Sequence, residues 1–83
     1  MKPTKLTIKQ WNILKKQLAT DYSTSVVLIR SKMRERLGFT TREHSTYSDQ
    51  YGTKIVIYLD WFDDAKRTMF MLKYSEYFDA SKN

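Results

Sequence analysis

The chain has 83 residues, of which 41% are hydrophobic and 14% aromatic, with two glycines and one proline; this composition predicts one folded domain over residues 1–83 and excludes a disordered chain. It contains no cysteine and no long apolar run, which excludes disulfides, thiolate metal sites and a membrane span and favours a cytoplasmic location. The formal net charge of +6 is unevenly distributed: residues 1–42 contain ten basic and two acidic residues, whereas residues 43–83 contain five basic and seven acidic residues. The basic N-terminal half predicts an anionic partner.

The first predicted element is a helix over Ile8–Asp21. Thr7 is placed to cap it, with Gln10 completing a capping box and Leu6 positioned to pack on Trp11. Its apolar stripe recurs at intervals of three or four residues and consists of Trp11, Leu14, Leu18 and Tyr22.

A second helix is predicted from the polar cluster Ser23–Ser25 to Leu37. Its apolar stripe consists of Val26, Ile29, Met33 and Leu37. Gly38 suits a left-handed stop, after which Phe39 is expected to fold back on Met33. The β-branched residues near the start of this segment would by themselves prefer a strand.

The pattern changes to that of a sheet after Phe39. We predict an edge strand over Thr40–Ser48, a turn over Asp49–Gly52 and a core strand over Thr53–Trp61. Together with a third strand near the C-terminus, this predicts an α+β fold. In it, an N-terminal helical hairpin packs on a three-stranded antiparallel sheet, in the order ααβββ and in two layers.

The third strand is predicted over Thr68–Tyr77, after a polar loop at Phe62–Arg67, with residues 79–83 as a frayed tail. The alternative is a terminal helix beginning near Asp63. The strand is favoured because the apolar residues of this segment spread around a helical wheel and leave no polar side.

Cationic pairs in the second helix are the strongest functional signal. Arg30 with Arg34, and Lys32 with Arg36, are like-charge pairs four residues apart, and each costs about 0.2–0.5 kcal/mol in an isolated helix. A phosphate backbone across them would relieve that repulsion. The predicted nucleic-acid-binding residues are Lys9, Lys15, Lys16, Arg30, Lys32, Arg34, Arg36 and Arg42. The alternative is structural, since cations complement the helix C-terminus and arginine stems cover apolar surface.

Tyrosines are concentrated in the sheet half of the chain. They are Tyr47, Tyr51, Tyr58, Tyr74 and Tyr77. Aromatic side chains on a sheet can stack bases, but the sheet half is net acidic, so half-buried filling or a protein interface is the favoured interpretation.

Few residues offer catalytic or metal chemistry. Asp60, Asp63 and Asp64 could hold magnesium, but turn chemistry is the favoured explanation, and no metal or cofactor is predicted. His44 is the single histidine, and with Arg42, Glu43 and Tyr47 nearby it could in principle move protons in metal-independent RNA cleavage. A surface histidine is favoured, so the protein is predicted not to be an enzyme.

A basic chain with a helical hairpin followed by an antiparallel sheet resembles the small toxin ribonucleases of bacterial toxin–antitoxin systems. The sequence departs from them because no strand is predicted before the first helix and the end of the sheet lacks basic and histidine residues. Their activity is therefore not carried over.

Two stretches look like the small accessory proteins of large T-even-type phages: MKPTKLTIKQW and IVIYLDWFDDAKRTMFMLKYSEYF. This resemblance covers most of the chain and implies a host-takeover or counter-defence role in the host cytoplasm. Such proteins commonly bind host enzymes, defence factors or nucleic acid.

The leading hypothesis is a small protein that binds nucleic acid, with RNA or a single strand favoured, and with weak sequence specificity. The alternative is an inhibitor or adaptor that binds a host protein, such as a defence factor or a toxin–antitoxin ribonuclease. A small ribonuclease using His44 is the lesser alternative. A homodimer would also suit so small a core.

Overall fold

The computed structural model describes residues 2–50 and 52–78 and has an α+β fold. In chain order its elements are β1 (Thr4–Thr7), α1 (Ile8–Asp21), α2 (Thr24–Leu28), α3 (Arg30–Leu37), β2 (Phe39–Ser48), β3 (Gly52–Trp61), α4 (Asp64–Lys73) and a 3₁₀ turn (Ser75–Phe78). The predicted fraying of residues 79–83 lies outside this range, as does Tyr51. No helix in the described part of the chain has the length and apolar character needed to cross a bilayer.

The three strands form one antiparallel sheet in the order β1-β3-β2. Leu6 of β1 lies opposite Ile57, and Phe39 of β2 lies opposite Trp61. Because neighbouring side chains on a strand alternate between the two sides of a sheet, these four residues and Leu59 share one side. All five are buried in the same hydrophobic cluster as the apolar residues of the helices, so this side of the sheet carries the core.

The prediction for the first helix is confirmed, with the same bounds. The Thr7 hydroxyl accepts a hydrogen bond from the Gln10 backbone N–H at 3.0 Å, and the Gln10 side-chain oxygen accepts from the Thr7 N–H at 2.9 Å. This capping box satisfies two backbone donors that the helix leaves without partners. Leu14 and Leu18 are fully buried, so α1 is anchored on the core by the predicted stripe.

The predicted second helix is divided in two at Ile29, which has extended backbone angles (φ −103°, ψ 115°) and a side chain 44% exposed. This corrects its placement on the buried stripe. The β-branched run Val26–Val27, which disfavours a continuous helix, precedes the break. Gly38 ends α3 as predicted, with a left-handed φ of 82° and its N–H donating to the Arg34 carbonyl at 3.0 Å.

Two predictions about the third strand are wrong. The third strand is β1, which precedes the first helix, and residues 64–73 form α4 instead of a strand. Asp63 caps α4 by accepting from the Lys66 backbone N–H at 3.0 Å. Apolar residues occur on all sides of this helix, although only one side is buried. Met69 and Leu72, on the outer side, are 71% and 77% exposed.

An aromatic cluster at the centre of the core joins the sheet to α1 and α4. The Phe39 ring meets Trp61 at 4.9 Å, Phe70 at 5.2 Å and Trp11 at 6.4 Å between ring centroids, all edge to face. The Trp61 indole N–H donates to the Thr4 hydroxyl at 2.9 Å, which satisfies its polar atom. This cluster fixes the start of β2, the end of β3 and α4 relative to one another. It therefore also positions the connection from α3 to β2 and the connection from β3 to α4.

Candidate nucleic-acid interface

The four cations of α3 surround its buried stripe. Met33 and Leu37 point into the core, while Arg30, Lys32, Arg34 and Arg36 are all exposed. Within residues 2–50 and 52–78, none of these four cations makes a salt bridge, and the ion pair found there joins Arg42 to Asp60. No carboxylate of the described chain therefore forms a close ion pair with these four cations.

Arg30 is held against the edge of the sheet by neutral groups. Its Nη1 donates to the Thr41 carbonyl at 2.9 Å, and its Nη2 donates to the Thr40 hydroxyl at 3.1 Å. These two bonds occupy two of the five N–H donors of the guanidinium. The side chain is thus positioned while its positive charge and three donors stay available.

Arg34 stacks on an aromatic ring from the connection between β3 and α4. Its guanidinium carbon lies 4.0 Å from the centroid of Phe62, which is 48% exposed. Stacking uses the flat surface of the guanidinium and leaves the N–H groups around its edge free. An arginine and an aromatic ring are therefore presented together at the surface.

Two lysines of α4 add to this charge. The Lys66 ammonium donates to the Glu35 carbonyl at the C-terminal end of α3, where a cation complements the helix dipole. The Lys73 ammonium lies 5.6 Å from the ring centroid of Tyr22 and 5.4 Å from that of Tyr74. Neither lysine makes a salt bridge in the part of the chain that the structure describes.

Two adjoining grooves divide this surface, and Lys66 lines both. The first groove has a cavity volume of about 750 Å³. It is lined by Arg30, Ser31, Arg34, Glu35, Thr40, Phe62, Asp63 and Lys66. The second groove has a cavity volume of about 300 Å³. It is lined by Tyr22, Arg36, Leu37, Lys66, Met69, Phe70, Lys73 and Tyr74. Cations from α3 and α4 thus line two grooves that share Lys66.

The structure places the remaining predicted cations elsewhere. Lys9 and Lys16 are exposed and Lys15 is half-buried on α1, and none of the three lines either groove. Lys32 is exposed on α3 but also lies outside both grooves. The predicted footprint is therefore brought together only in part.

Arg42 lies on the side of the sheet away from the core. Its Nε and Nη2 donate to the two carboxylate oxygens of Asp60 at 3.1 and 3.2 Å, and its guanidinium lies 4.6 Å from the centroid of the Tyr58 ring. The hydrogen bonds to Asp60 raise the pKa of Arg42 above its ordinary value. Its charge is compensated within the sheet, unlike that of α3.

The carboxylates singled out from the sequence and His44 have separate surroundings among the described residues. Asp60 pairs with Arg42 and Asp63 caps α4, and no group of three potential metal ligands occurs within residues 2–50 and 52–78. His44 and Glu43 are successive residues of β2, so their side chains lie on opposite sides of the sheet.

Two predicted tyrosines have very different environments. Tyr74 is 3% exposed and its hydroxyl donates to the Asp21 carboxylate at 2.6 Å, whereas Tyr47 is 72% exposed. Burial, followed by this hydrogen bond, raises the pKa of Tyr74, and the same hydrogen bond lowers the pKa of Asp21. Tyr58 and Tyr77 are half-buried as predicted, whereas Tyr74 is buried and Tyr47 is exposed.

Sequence reasoning missed Phe62, Lys66 and Lys73 because it assigned residues 62–67 to a loop and 68–77 to a strand. The signal that identifies α4 is local: Asp63 at the cap, Asp64 in the first turn and Lys73 in the last turn. Because this segment is a helix, Lys66 and Lys73 of the acidic C-terminal half line the same grooves as arginines of the basic N-terminal half.

No protein-family model, curated protein or solved structure matches this chain.

Proposed function

We propose that the protein binds single-stranded nucleic acid, with RNA favoured, through a surface that we call the cationic surface and define as Arg30, Arg34, Arg36, Lys66 and Lys73. The observation that carries this proposal is the absence of any carboxylate partner for these five side chains within residues 2–50 and 52–78. Cations that lie close together and are not engaged in salt bridges attract a polyanion and release its condensed counterions on binding.

The shape and chemistry of this surface favour a single strand over a duplex. Both grooves carry aromatic side chains beside cations, such as Phe62 beside Arg34 and Tyr22 beside Lys73. Unpaired bases stack on such rings, whereas the bases of a duplex are already stacked. Phosphate contacts carry no sequence information, so specificity along most of the strand is expected to be weak. We propose a binding role rather than an enzymatic one.

The direct test is charge reversal at Arg34 and Arg36, measured with a labelled 12-nucleotide RNA by fluorescence anisotropy at fixed salt. The double variant Arg34→Glu with Arg36→Glu should bind roughly tenfold or more weakly, because both phosphate contacts become repulsive. Lys5→Glu with Lys54→Glu is the matched control. It makes the same change in net charge at two exposed positions on the opposite side of the sheet.

The control variant should retain affinity to within about threefold, since repulsion by distant exposed charges is largely screened at physiological salt. Equal losses in the two double variants would show that only net charge matters and would reject the cationic surface as the binding site. Circular dichroism of each variant establishes that it is folded.

A second candidate function is that of an inhibitor or adaptor that binds a protein, and the exposed side of α4 favours it. Ala65, Met69 and Leu72 are exposed and spaced by four and three residues, so they form an apolar stripe along one side of the helix. Contiguous exposed apolar side chains are typical of protein interfaces. The resemblance to phage accessory proteins would make a host enzyme the partner.

Affinity purification after nuclease treatment tests this second function. A specific partner should be retained by the wild-type protein and lost by Ala65→Gln with Leu72→Gln, while RNA affinity stays unchanged, because these two exposed positions line neither groove and the substitutions add no charge. Light scattering of the purified protein separates a second copy of this chain from a different partner. Retention of the same partner by the doubly substituted protein would contradict a role for the apolar stripe.

A further inference from the structure

The first groove carries both signs of charge. Arg30, Arg34 and Lys66 line it together with the carboxylates of Glu35 and Asp63. A site that bound phosphate alone would gain nothing from carboxylates, because they repel the ligand. The groove therefore matches a ligand that has an anionic group and, separately, neutral hydrogen-bond donors.

An unpaired guanine nucleotide has both features. The Watson–Crick edge of guanine presents two adjacent donors, N1–H and the N2 amino group, and an ionised carboxylate accepts two hydrogen bonds side by side. Adenine instead presents the acceptor N1 beside its amino group, so a carboxylate in the same place meets a lone pair. Uracil and cytosine are smaller and stack less extensively.

We propose that the first groove binds one unpaired guanine nucleotide of the strand and gives the protein a preference for guanine at that position. This inference rests on the proposed function, which it makes specific at one nucleotide. The cavity volume of about 750 Å³ lies inside the range of roughly 300–1,000 Å³ usual for small-ligand sites.

Each side chain has a distinct role in this site. The base stacks on one face of the exposed Phe62 ring. The guanidinium carbon of Arg34 lies over the other face, 4.0 Å from the ring centroid. Asp63 uses one oxygen to cap α4, whereas the Glu35 carboxylate makes no hydrogen bond within the described residues, so Glu35 is the acceptor for the guanine edge. Arg30 and Lys66 hold the phosphates of the same nucleotide.

The test compares 12-nucleotide RNAs made of uridine with one central guanosine, adenosine or inosine, by anisotropy at constant salt. The guanosine strand should bind roughly tenfold more tightly than the adenosine strand, as expected for one bidentate contact. Inosine keeps N1–H but lacks the N2 amino group, so its strand should have intermediate affinity. Equal affinity for the three strands overturns the inference.

Variants separate stacking from recognition of the base edge. Glu35→Gln should abolish the preference for guanosine by weakening the guanosine strand, while the adenosine strand binds as tightly as before or more tightly, because a repulsive carboxylate is removed. Phe62→Ala should weaken binding of the guanosine strand roughly tenfold, and Phe62→Trp should restore it. Matched controls are Glu43→Gln and Tyr47→Ala, an exposed carboxylate and an exposed aromatic residue of β2 outside both grooves.

Competition with free nucleotides tests whether the groove recognises guanine by itself, independently of contacts to the rest of the strand. Guanosine 5′-monophosphate at millimolar concentration should displace the guanosine strand, and adenosine 5′-monophosphate should not. Equal displacement by both nucleotides overturns guanine recognition. Salt-dependent binding without any base preference would reject this inference and keep the proposed function, whereas failure of every strand to bind would reject both.

Discussion

Gly38 joins α3 to β2 under two independent constraints. Its φ of 82° is in the left-handed region, and a methyl group added to it would lie 2.8 Å from the Cβ of Lys66. We predict that Gly38→Ala lowers the free energy of unfolding by about 2–4 kcal/mol, through backbone strain and the close contact with α4. Urea denaturation followed by circular dichroism measures this change.

Gly52→Ala is the matched control, because Gly52 has a similar φ of 75° but no atom within 4 Å of an added methyl group. It should therefore show only the backbone part, about 1–2 kcal/mol. The difference between the two variants gives the cost of the contact between Gly38 and Lys66. Identical losses would show that Lys66 moves aside without cost.

The hydrogen bond from Tyr74 to Asp21 makes stability depend on pH at both ends of the scale. The pKa of Tyr74 is raised in the folded protein, so its contribution is complete below the unfolded value near 10 and is lost as pH rises beyond it. The pKa of Asp21 is lowered, so its contribution is present above the unfolded value near 3.8 and is lost as pH falls below it.

Tyr74→Phe removes this hydrogen bond and should flatten both limbs of the stability curve. Thermal unfolding at pH 3, 7 and 11 measures the effect: the variant should lose stability relative to wild type at pH 7 and approach it at both extremes. Tyr47→Phe, at an exposed tyrosine, should leave the curve unchanged. A Tyr74→Phe curve parallel to that of the wild type would contradict this account.

Helix ends were the features most predictable from the sequence. The Thr7–Gln10 capping box and the Gly38 stop involve residues within a few positions of each other, so their geometry is determined locally. Lys66 was not predictable in this way, because its ammonium meets the carbonyl of Glu35, 31 residues earlier in the chain.

Among the elements, α4 shows where hydrophobic periodicity fails. Its outward residues Met69 and Leu72 are apolar, so the segment has no polar side and was predicted to be a strand. The same limit explains why β1 was missed, since Leu6 is the one apolar residue among its four and a single apolar residue defines no period. Hydrophobic periodicity predicts secondary structure only where one side of an element is apolar and buried and the other is polar, and neither β1 nor α4 meets this condition.

A pair of substitutions tests α4 directly. Phe70 is 5% exposed and Leu72 is 77% exposed, whereas a strand would place both side chains on the same side. Phe70→Ala should cost about 3–5 kcal/mol through loss of core packing. Leu72→Ala should change stability by no more than about 0.5 kcal/mol.

Urea denaturation compares the two variants, with Phe70→Leu as a milder replacement in case Phe70→Ala does not fold. Similar losses at positions 70 and 72 would favour the strand and contradict the helix.

For the whole molecule, the charge asymmetry of the sequence predicted the candidate site only in part. It singled out the second helix, whose arginines make no salt bridge in the described chain. It could not show that α4 of the acidic half adds Lys66 and Lys73, or that Asp60 compensates Arg42. Both results depend on contacts between residues far apart in the sequence. Counting the charges in each half of the chain cannot predict such contacts.

The salt dependence of binding measures how much of this surface meets phosphate. If the five side chains of the cationic surface neutralise about five phosphates of a single strand, the logarithm of affinity should fall with the logarithm of salt concentration at a slope of roughly −3.5.

Arg34→Ala with Arg36→Ala should reduce the magnitude of the slope by about 1.4, because two phosphate contacts are removed. Arg42→Ala should leave it unchanged, since Asp60 already holds that guanidinium at 3.1 Å on the other side of the sheet. Anisotropy titrations between 50 and 300 mM salt, on the order of the usual working range, measure all three slopes. A slope near zero for the wild-type protein, or an equal reduction by Arg42→Ala, would contradict binding through α3 and α4.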